Sequence, residues 1–346
     1  MAETPFNFLI VSERSGSNLF LRIMHANSEC LGAAPTHLHR IMHNNRSRYG
    51  DLADDAEWRR MVADCAELMR TTFIHWESGV DEEDLLRRCR ERNPAEVIRR
   101  IYEAEMERYG KSSVLIKENW CYRLVPFLMA NYPDCRFVFM VRDPRDMALS
   151  WKRITWWMAG KEDRGIRGGA KLWMENQRDS LEVYSALRDT GRIVLLRYED
   201  LLRRPETELR RVCDTLGLAY EPAMLDFHKS DKARGDAEAS QAFRNLSSPL
   251  NPENYGKFAT QLDEAEVRWI EHVCAREMEM LGYSPVHSTS DDFEELDRLV
   301  DEVERREAAE SEEKARDPEE DARRQRRFET LKSIFTRPEI PLYPPD

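Results

Sequence analysis

The chain is 346 residues long, 41% hydrophobic and 34% charged, with a formal net charge of -12. That length holds one large α/β domain or two modest ones, and the acidic balance argues against a nucleic-acid partner, which would need clustered Lys and Arg. Residues 291–327 alone carry 16 Asp and Glu against 9 Lys and Arg, so the remainder leaves room for a local basic pocket that takes a small polyanion.

In chain order, MAETPFNFLIV has no basic leader, and its apolar run is too short for a signal peptide or a membrane span. The run FNFLIV (6–11) reads as a strand, and SERSGSN then leads straight into the helical pattern NLFLRIMHA. Residues 40–110 are polar, helical and free of strand signals, as expected of a helical insertion over the sheet edge. SVLIK (113–117), RFVFMV (136–141) and RIVLLRY (192–198) are further strands, nearly continuous in apolar residues, as strands covered on both faces are. Helical patterns follow each: YRLVPFLMANY, PRDMALSWKRITWWM, and RRPETELRRVCDTLGL with Pro205 at its start and Gly217 at its end. One more helix spans 263–283 and stops at Gly282.

This alternation predicts an α/β fold, a doubly wound parallel sheet flanked by helices with its sites at the strand carboxyl ends. The main domain is expected over 1–286. A charged helical tail with a Pro-rich end follows over 287–346. Phe293, Leu296, Leu299, Val300 and Val303 form one apolar stripe in it, and Phe328, Leu331, Ile334 and Phe335 another. The stripes imply docking onto the body or, in a homo-oligomer, onto a second subunit. Seven cysteines (Cys30, Cys65, Cys89, Cys121, Cys135, Cys213, Cys274) are dispersed singly with no Cys/His cluster. That pattern suggests reduced thiols in a cytoplasmic protein, with no metal site.

Three strand–helix junctions carry the chemistry. SERSGSN offers backbone amides at a helix start, from Ser15, Gly16, Ser17 and Asn18, beside the guanidinium of Arg14, which suits an anion. It lacks the first glycine and the lysine of a Walker A loop. The plainer alternative is a junction capped by Ser17 or Asn18. In VRDPRDMALSW, Asp143 and Pro144 suit a helix cap and first turn, which leaves Arg142 at the strand end and Ser150 two turns on, on the face that carries Asp143. In LRYEDLL, Tyr198 closes the last strand, either as a ligand contact or as a buried tyrosine of a capped junction.

Together and in this order, these three blocks resemble the sulfotransferase superfamily, whose members use 3′-phosphoadenosine 5′-phosphosulfate (PAPS). The resemblance spans about residues 6–285. It implies the P-loop-like sulfotransferase fold, with the first loop at the 5′-phosphosulfate, Arg142 and Ser150 at the 3′-phosphate, and Tyr198 near the adenine. A fourth block, RNLSSPLNPENYGKF (244–258), loosely resembles the loop that closes over the donor, with Ser247, Ser248, Gly256 and Lys257 as contacts; the alternative is an ordinary surface loop.

The acceptor hydroxyl needs a base. The cytosolic animal branch of the family carries Lys-Thr-His at the end of its second strand. Here the matching stretch is Lys117-Glu118-Asn119, so the histidine assignment does not carry over, while Lys117 does, as a charge stabiliser. The loop GAAPTHLHRIM supplies His37 and His39, and the order of preference for the base is His37, Glu118, His39. Trp151, Trp156, Trp157 and Trp173 line an acceptor pocket or sit in the core. The resemblance thus implies sulfuryl transfer, without a metal, to a small-molecule, glycan or lipid hydroxyl, less readily an amine. A P-loop nucleotide kinase or NTPase, and a non-catalytic scaffold using the acidic tail, are the alternatives.

Overall fold

The computed structural model describes residues 5–72, 76–153, 165–239, 246–287, 292–310 and 318–340. Strands β1 (Phe6–Val11), β2 (Cys30–Gly32), β3 (Ser113–Lys117), β4 (Phe137–Val141) and β5 (Ile193–Arg197) form one parallel sheet in the order β2-β3-β1-β4-β5. Four of these are the expected strands. β2 is three residues long, too short for a sequence signal, and exists through its register with β3, from Cys30 opposite Ser113 to Gly32 opposite Leu115. Along β1, Phe6, Phe8 and Ile10 enter one core cluster and Leu9 and Val11 the other. Side chains alternate across a strand, and both faces are covered, so every residue of β1 is buried.

Helix α1 (Ser17–His25) links β1 to β2. α2 (Leu38–Asn44), α3 (Asp55–Arg70), α4 (Glu82–Arg88) and α5 (Pro94–Tyr109) form the expected insertion before β3. The insertion shares the main core: Trp58, Met61, Cys65, Ile98 and Tyr102 are buried in the cluster that holds Phe6 and Phe8. α6 (Cys121–Asn131) joins β3 to β4, and α7 (Pro144–Lys152) and α8 (Gly165–Leu187) lie between β4 and β5. α7 begins as expected, with Pro144 first and the Asp143 side chain accepting from Arg145 N at 2.9 Å. Trp156 and Trp157 fall outside the described residues, whereas Trp173 is fully buried and Trp151 nearly so. α9 (Tyr198–Arg203) and α10 (Pro205–Leu216) follow β5, and Gly217 ends α10 at φ +73°. α11 (Asp231–Ala239), α12 (Phe258–Gln261) and α13 (Glu264–Met280) complete the body.

The connection leaving β1 runs to one side of the sheet, towards β2, and that leaving β4 runs to the other, towards β5. The carboxyl ends of β1 and β4 therefore flank a topological switch point, where open α/β sheets leave a crevice.

The tail helices α14 (Phe293–Glu310) and α15 (Pro318–Phe335) dock onto this body. Leu296, Val300, Val303 and Ile334 are buried, while Phe328 and Phe335 stay exposed. Arg167 of α8 pairs with Asp297, Asp301 and Glu304 of α14. Arg327 of α15 is 6% exposed. It donates to Leu68 O at 2.7 Å and Thr36 O at 2.8 Å, so the last helix holds the segment that carries His37.

Charge-assisted hydrogen bonds to buried carbonyls contribute more than neutral ones, and removing the donor leaves Leu68 O to the Thr71 hydroxyl at 3.3 Å and takes the charged donor from Thr36 O. Arg327→Ala should cost about 2–4 kcal/mol, read as a lower denaturant midpoint at unchanged slope. An unshifted midpoint would mean that Arg327 does not hold the segment.

Candidate active site

The loop after β1 is shaped by two left-handed residues, Arg14 at φ +63° and Gly16 at φ +83°. Gly16, and not Ser17 or Asn18, is the N-cap of α1; no side chain caps the helix and no carboxylate lies in its first turn. Its leading amides are thus left for another acceptor. Among the described residues, Ser15 Oγ and Asn18 Oδ1 are buried without a hydrogen-bond partner. Glycine is required at 16 twice over: by its backbone, and because a Cβ there would lie 2.4 Å from the Tyr198 ring.

Tyr198, the first residue of α9, therefore roofs the loop. Its hydroxyl accepts from Asn254 at 2.7 Å, and Lys257 donates to the same Asn254 at 2.6 Å. The Arg142 guanidinium lies over the Tyr198 ring, 4.9 Å from its centroid, and donates to Arg14 O at 3.1 Å. Arg14 Nε donates to Ser150 Oγ at 3.2 Å. The two arginines thus meet, although they stem from junctions 128 residues apart. Arg142 Nε is buried and unpartnered, and Trp173 fixes its carbonyl with a 2.8 Å bond from Nε1. Burial first, and then the neighbouring Arg142, lowers the proton affinity of Arg14, with Glu13 opposing. Asp146 lies 3.8 Å from Arg142, but it also accepts from the amides of Gly256 and Phe258, which ties the 254–258 turn to the site. Ser247 and Ser248 are exposed at the surface.

A second set of groups gathers at the end of β3. Lys117 is 8% exposed; burial brings its amine down to about 8, with Glu13 raising it and Arg14 lowering it. Glu118 is fully buried and accepts from the His39 amide and Nδ1, both at 3.1 Å. Burial alone would raise its carboxyl, but His37 and His39 beside it outweigh that and bring it down to about 2. His39 is not available to a ligand. It is fully buried, and its Nε2 lies 3.0 Å from Tyr132 OH, whose own proton goes to Ala95 O. His37 differs: its side chain is 19% exposed and its Nδ1 stands 3.6 Å from Glu118 Oε2. Burial lowers the proton affinity of this ring, which Glu118 partly offsets.

Trp120, Asn119 and Arg40 belong to this half and are not legible in the sequence. Trp120 is left-handed at φ +55°, as His37 is at φ +60°. Asn119 donates to Glu13 at 2.5 Å and presents its amide to His37 Nδ1 at 3.5 Å, joining the two halves. Arg14, His37 and Trp120 are the non-glycine residues with positive φ among those described. Such conformations are costly and gather at functional sites. Among the described residues, no group of three or more His, Cys, Asp or Glu is placed to hold a metal ion.

A model of the sulfotransferase family matches residues 5–222. The chain is 29% identical over 199 residues to carbohydrate sulfotransferase 6 of Homo sapiens, covering 51% of this chain and 49% of that protein. It is 24% identical over 168 residues to a putative protein-tyrosine sulfotransferase of Caenorhabditis briggsae, covering 48% and 59%. The chain thus spans about half the length of the curated relatives it matches. In fold it is similar to the sulfotransferase domain from the curacin biosynthetic pathway, with a TM-score of 0.57 at 18% identity over 82% of this chain and 99% of that one.

The roofed loop has a direct test. Gly16→Ala should destabilise by at least about 2 kcal/mol, from the left-handed backbone and the collision with Tyr198. Adding Tyr198→Ala should relieve the steric part and leave the backbone part, a non-additive pair in denaturant unfolding. A Gly16→Ala protein within about 0.5 kcal/mol of wild type would refute the packing.

Proposed function

The chain belongs to the sulfotransferase family, and on that premise we propose that it moves a sulfuryl group from PAPS to a hydroxyl of a small-molecule, glycan or lipid acceptor. One observation carries the reading. Arg14 and Arg142 are held together at the switch point, beside an uncapped helix start and the unpartnered Ser15 hydroxyl. Such a site fits a ligand that carries two anionic groups on one small frame.

The residues fit the donor. Arg14 and the amides of Ser15, Gly16, Ser17 and Asn18 would hold its 5′-phosphosulfate end. Arg142 and Ser150 would hold the 3′-phosphate. Tyr198 would lie beside the adenine, and Gly256 and Lys257 would close the pocket. When bound, PAPS supplies a sulfuryl group on a phosphate leaving group. Arg14 and Lys117 offset the charge that collects on the leaving oxygen, and Arg14 does so without giving up a proton.

His37 takes the acceptor proton. Glu118 Oε2 faces Nδ1 of this ring at 3.6 Å, where it orients the imidazole and stabilises the imidazolium that forms. Glu118 is therefore a positioning residue for His37. The unpaired state of all seven cysteines supports a reducing compartment, which we take to be the cytoplasm.

Calorimetry with adenosine 3′,5′-bisphosphate (PAP) tests the donor site: wild type should bind it, and Arg142→Ala should lose at least tenfold in affinity. No heat from PAP or PAPS with folded protein would end the proposal.

His37→Asn, which tolerates a left-handed backbone, should lower turnover by about two orders of magnitude or more with PAP affinity nearly unchanged. Near-wild-type turnover would remove His37 from the reaction.

The pH profile follows from the two groups. His37 must be neutral, so activity is lost as pH falls through a value below the usual 6.5. Lys117 must be charged, so activity is lost as pH rises through about 8. The expected kcat/KM profile is a bell between those limits, and Lys117→Arg should move the alkaline limb upward. An alkaline limb that stays in place would show that Lys117 does not set it.

A further inference from the structure

Arg40 has no role in the proton transfer or the donor grip. Among the described residues its guanidinium makes no hydrogen bond or ion pair, and its Nε is buried without a partner. Its Cζ rests 4.8 Å from the centroid of the Trp120 ring. A guanidinium drawn out of water and unpaired is costly, and burial indeed lowers the proton affinity of Arg40.

Glu118 and Glu13 act on this guanidinium through charge alone. Glu118 Oε1 accepts from His39 while its Oε2 faces His37, and Glu13 accepts from Asn119. Arg327, the other cation close by, is spent on the carbonyls of Leu68 and Thr36.

Arg40 also lies close to the proposed base. His37 caps α2 and Arg40 follows three residues on, near enough for its charge to act on the His37 ring. Trp120 directly follows Asn119, whose amide meets His37 Nδ1. Imidazole, indole and guanidinium therefore line one wall, on the β3 side of the site. The donor grip of Arg14 and Arg142 stands at the ends of β1 and β4.

We infer that Arg40, presented on the Trp120 ring, recognises an anionic group of the acceptor, a carboxylate, phosphate or sulfate set close to the hydroxyl that His37 deprotonates. The inference rests on the sulfuryl-transfer reading and narrows its acceptor to anionic molecules. An Arg stacked on an indole keeps its edge donors free for a bidentate oxyanion.

The experiment uses the full chain with and without saturating PAP, titrated calorimetrically with two matched pairs: glucose against glucuronate, and tyrosol against 4-hydroxyphenylacetate. In wild type the carboxylate of each pair should bind at least tenfold tighter. Arg40→Met keeps an aliphatic stem on Trp120 and should abolish the difference. Arg40→Lys should keep part of it, and PAP affinity should change less than twofold in both variants.

Equal or undetectable binding of both members of each pair to wild type overturns the inference, as does a preference that survives in Arg40→Met. Inorganic sulfate that displaces the carboxylate probes equally from wild type and Arg40→Met would locate the anion on the donor arginines and also overturn it. Absence of PAP binding is a separate failure. It would sink the sulfuryl-transfer reading, and the pairs titrated without PAP would still decide whether Arg40 selects anions.

Discussion

Two cations held against each other, Arg14 and Arg142, set the terms for the rest of the molecule. They meet because β1 and β4 are neighbours, about 4.8 Å apart, and because the connections leaving them diverge. Like charges this close repel, and the groups that accept from them here are neutral: Arg142 donates to the Arg14 carbonyl, and Arg14 to the Ser150 hydroxyl. Asp146, the carboxylate nearest Arg142, is shared with two amides of the 254–258 turn. A site that assembles positive charge and leaves it poorly balanced is adapted to a multiply anionic ligand. On the proposed reading, the arrangement also accounts for an anion loop without a lysine. Two forked donors from separate strands would do the work that one Walker lysine does elsewhere.

Bringing these groups together costs backbone energy, and the fold holds it in place from several sides. Arg14, His37 and Trp120 each stand at a strand–helix or loop–helix junction with positive φ, at about 1–2 kcal/mol apiece. Each is fixed by contacts from other elements. Arg14 is held by Ser150 and Arg142, His37 by Glu118 and the Asn119 amide, and Trp120 by Arg40. Tyr198 closes the roof over Gly16, and Asn254 pins its hydroxyl. These contacts come from separate elements of the fold, as preorganised charge stabilisation requires.

The tail belongs to the same design. Its composition is that of a solvated, charged segment, yet α15 drives Arg327 into the body and satisfies two buried carbonyls, one of them at Thr36 beside His37. α14 meanwhile lays three carboxylates along Arg167. The acidic excess of this region is thus partly consumed by pairing within the chain. The apolar stripes cover the chain's own core in part, through Leu296, Val300, Val303 and Ile334, with Phe293, Leu299, Phe328 and Phe335 left at the surface.

What the sequence determined by itself is the sheet and its punctuation. Short continuous apolar runs rich in β-branched and aromatic residues read as strands covered on both faces, and Asp143-Pro144 and Gly217 mark helix ends because their backbone chemistry is local. The arginine-bearing loop, Arg142 and Tyr198 were readable for the same reason, since each sits at a junction the runs define. The tertiary structure alone decided the rest. β2 is stabilised by pairing and not by its three residues. Gly16 caps α1 because Tyr198, 182 positions away in the chain, leaves space for nothing larger. His37 and His39 are two residues apart and look alike in sequence. Only packing distinguishes them, by burying His39 between Glu118 and Tyr132 and leaving His37 at the cleft. Burial, strain and charge pairing arise between distant segments, so no local pattern can encode them.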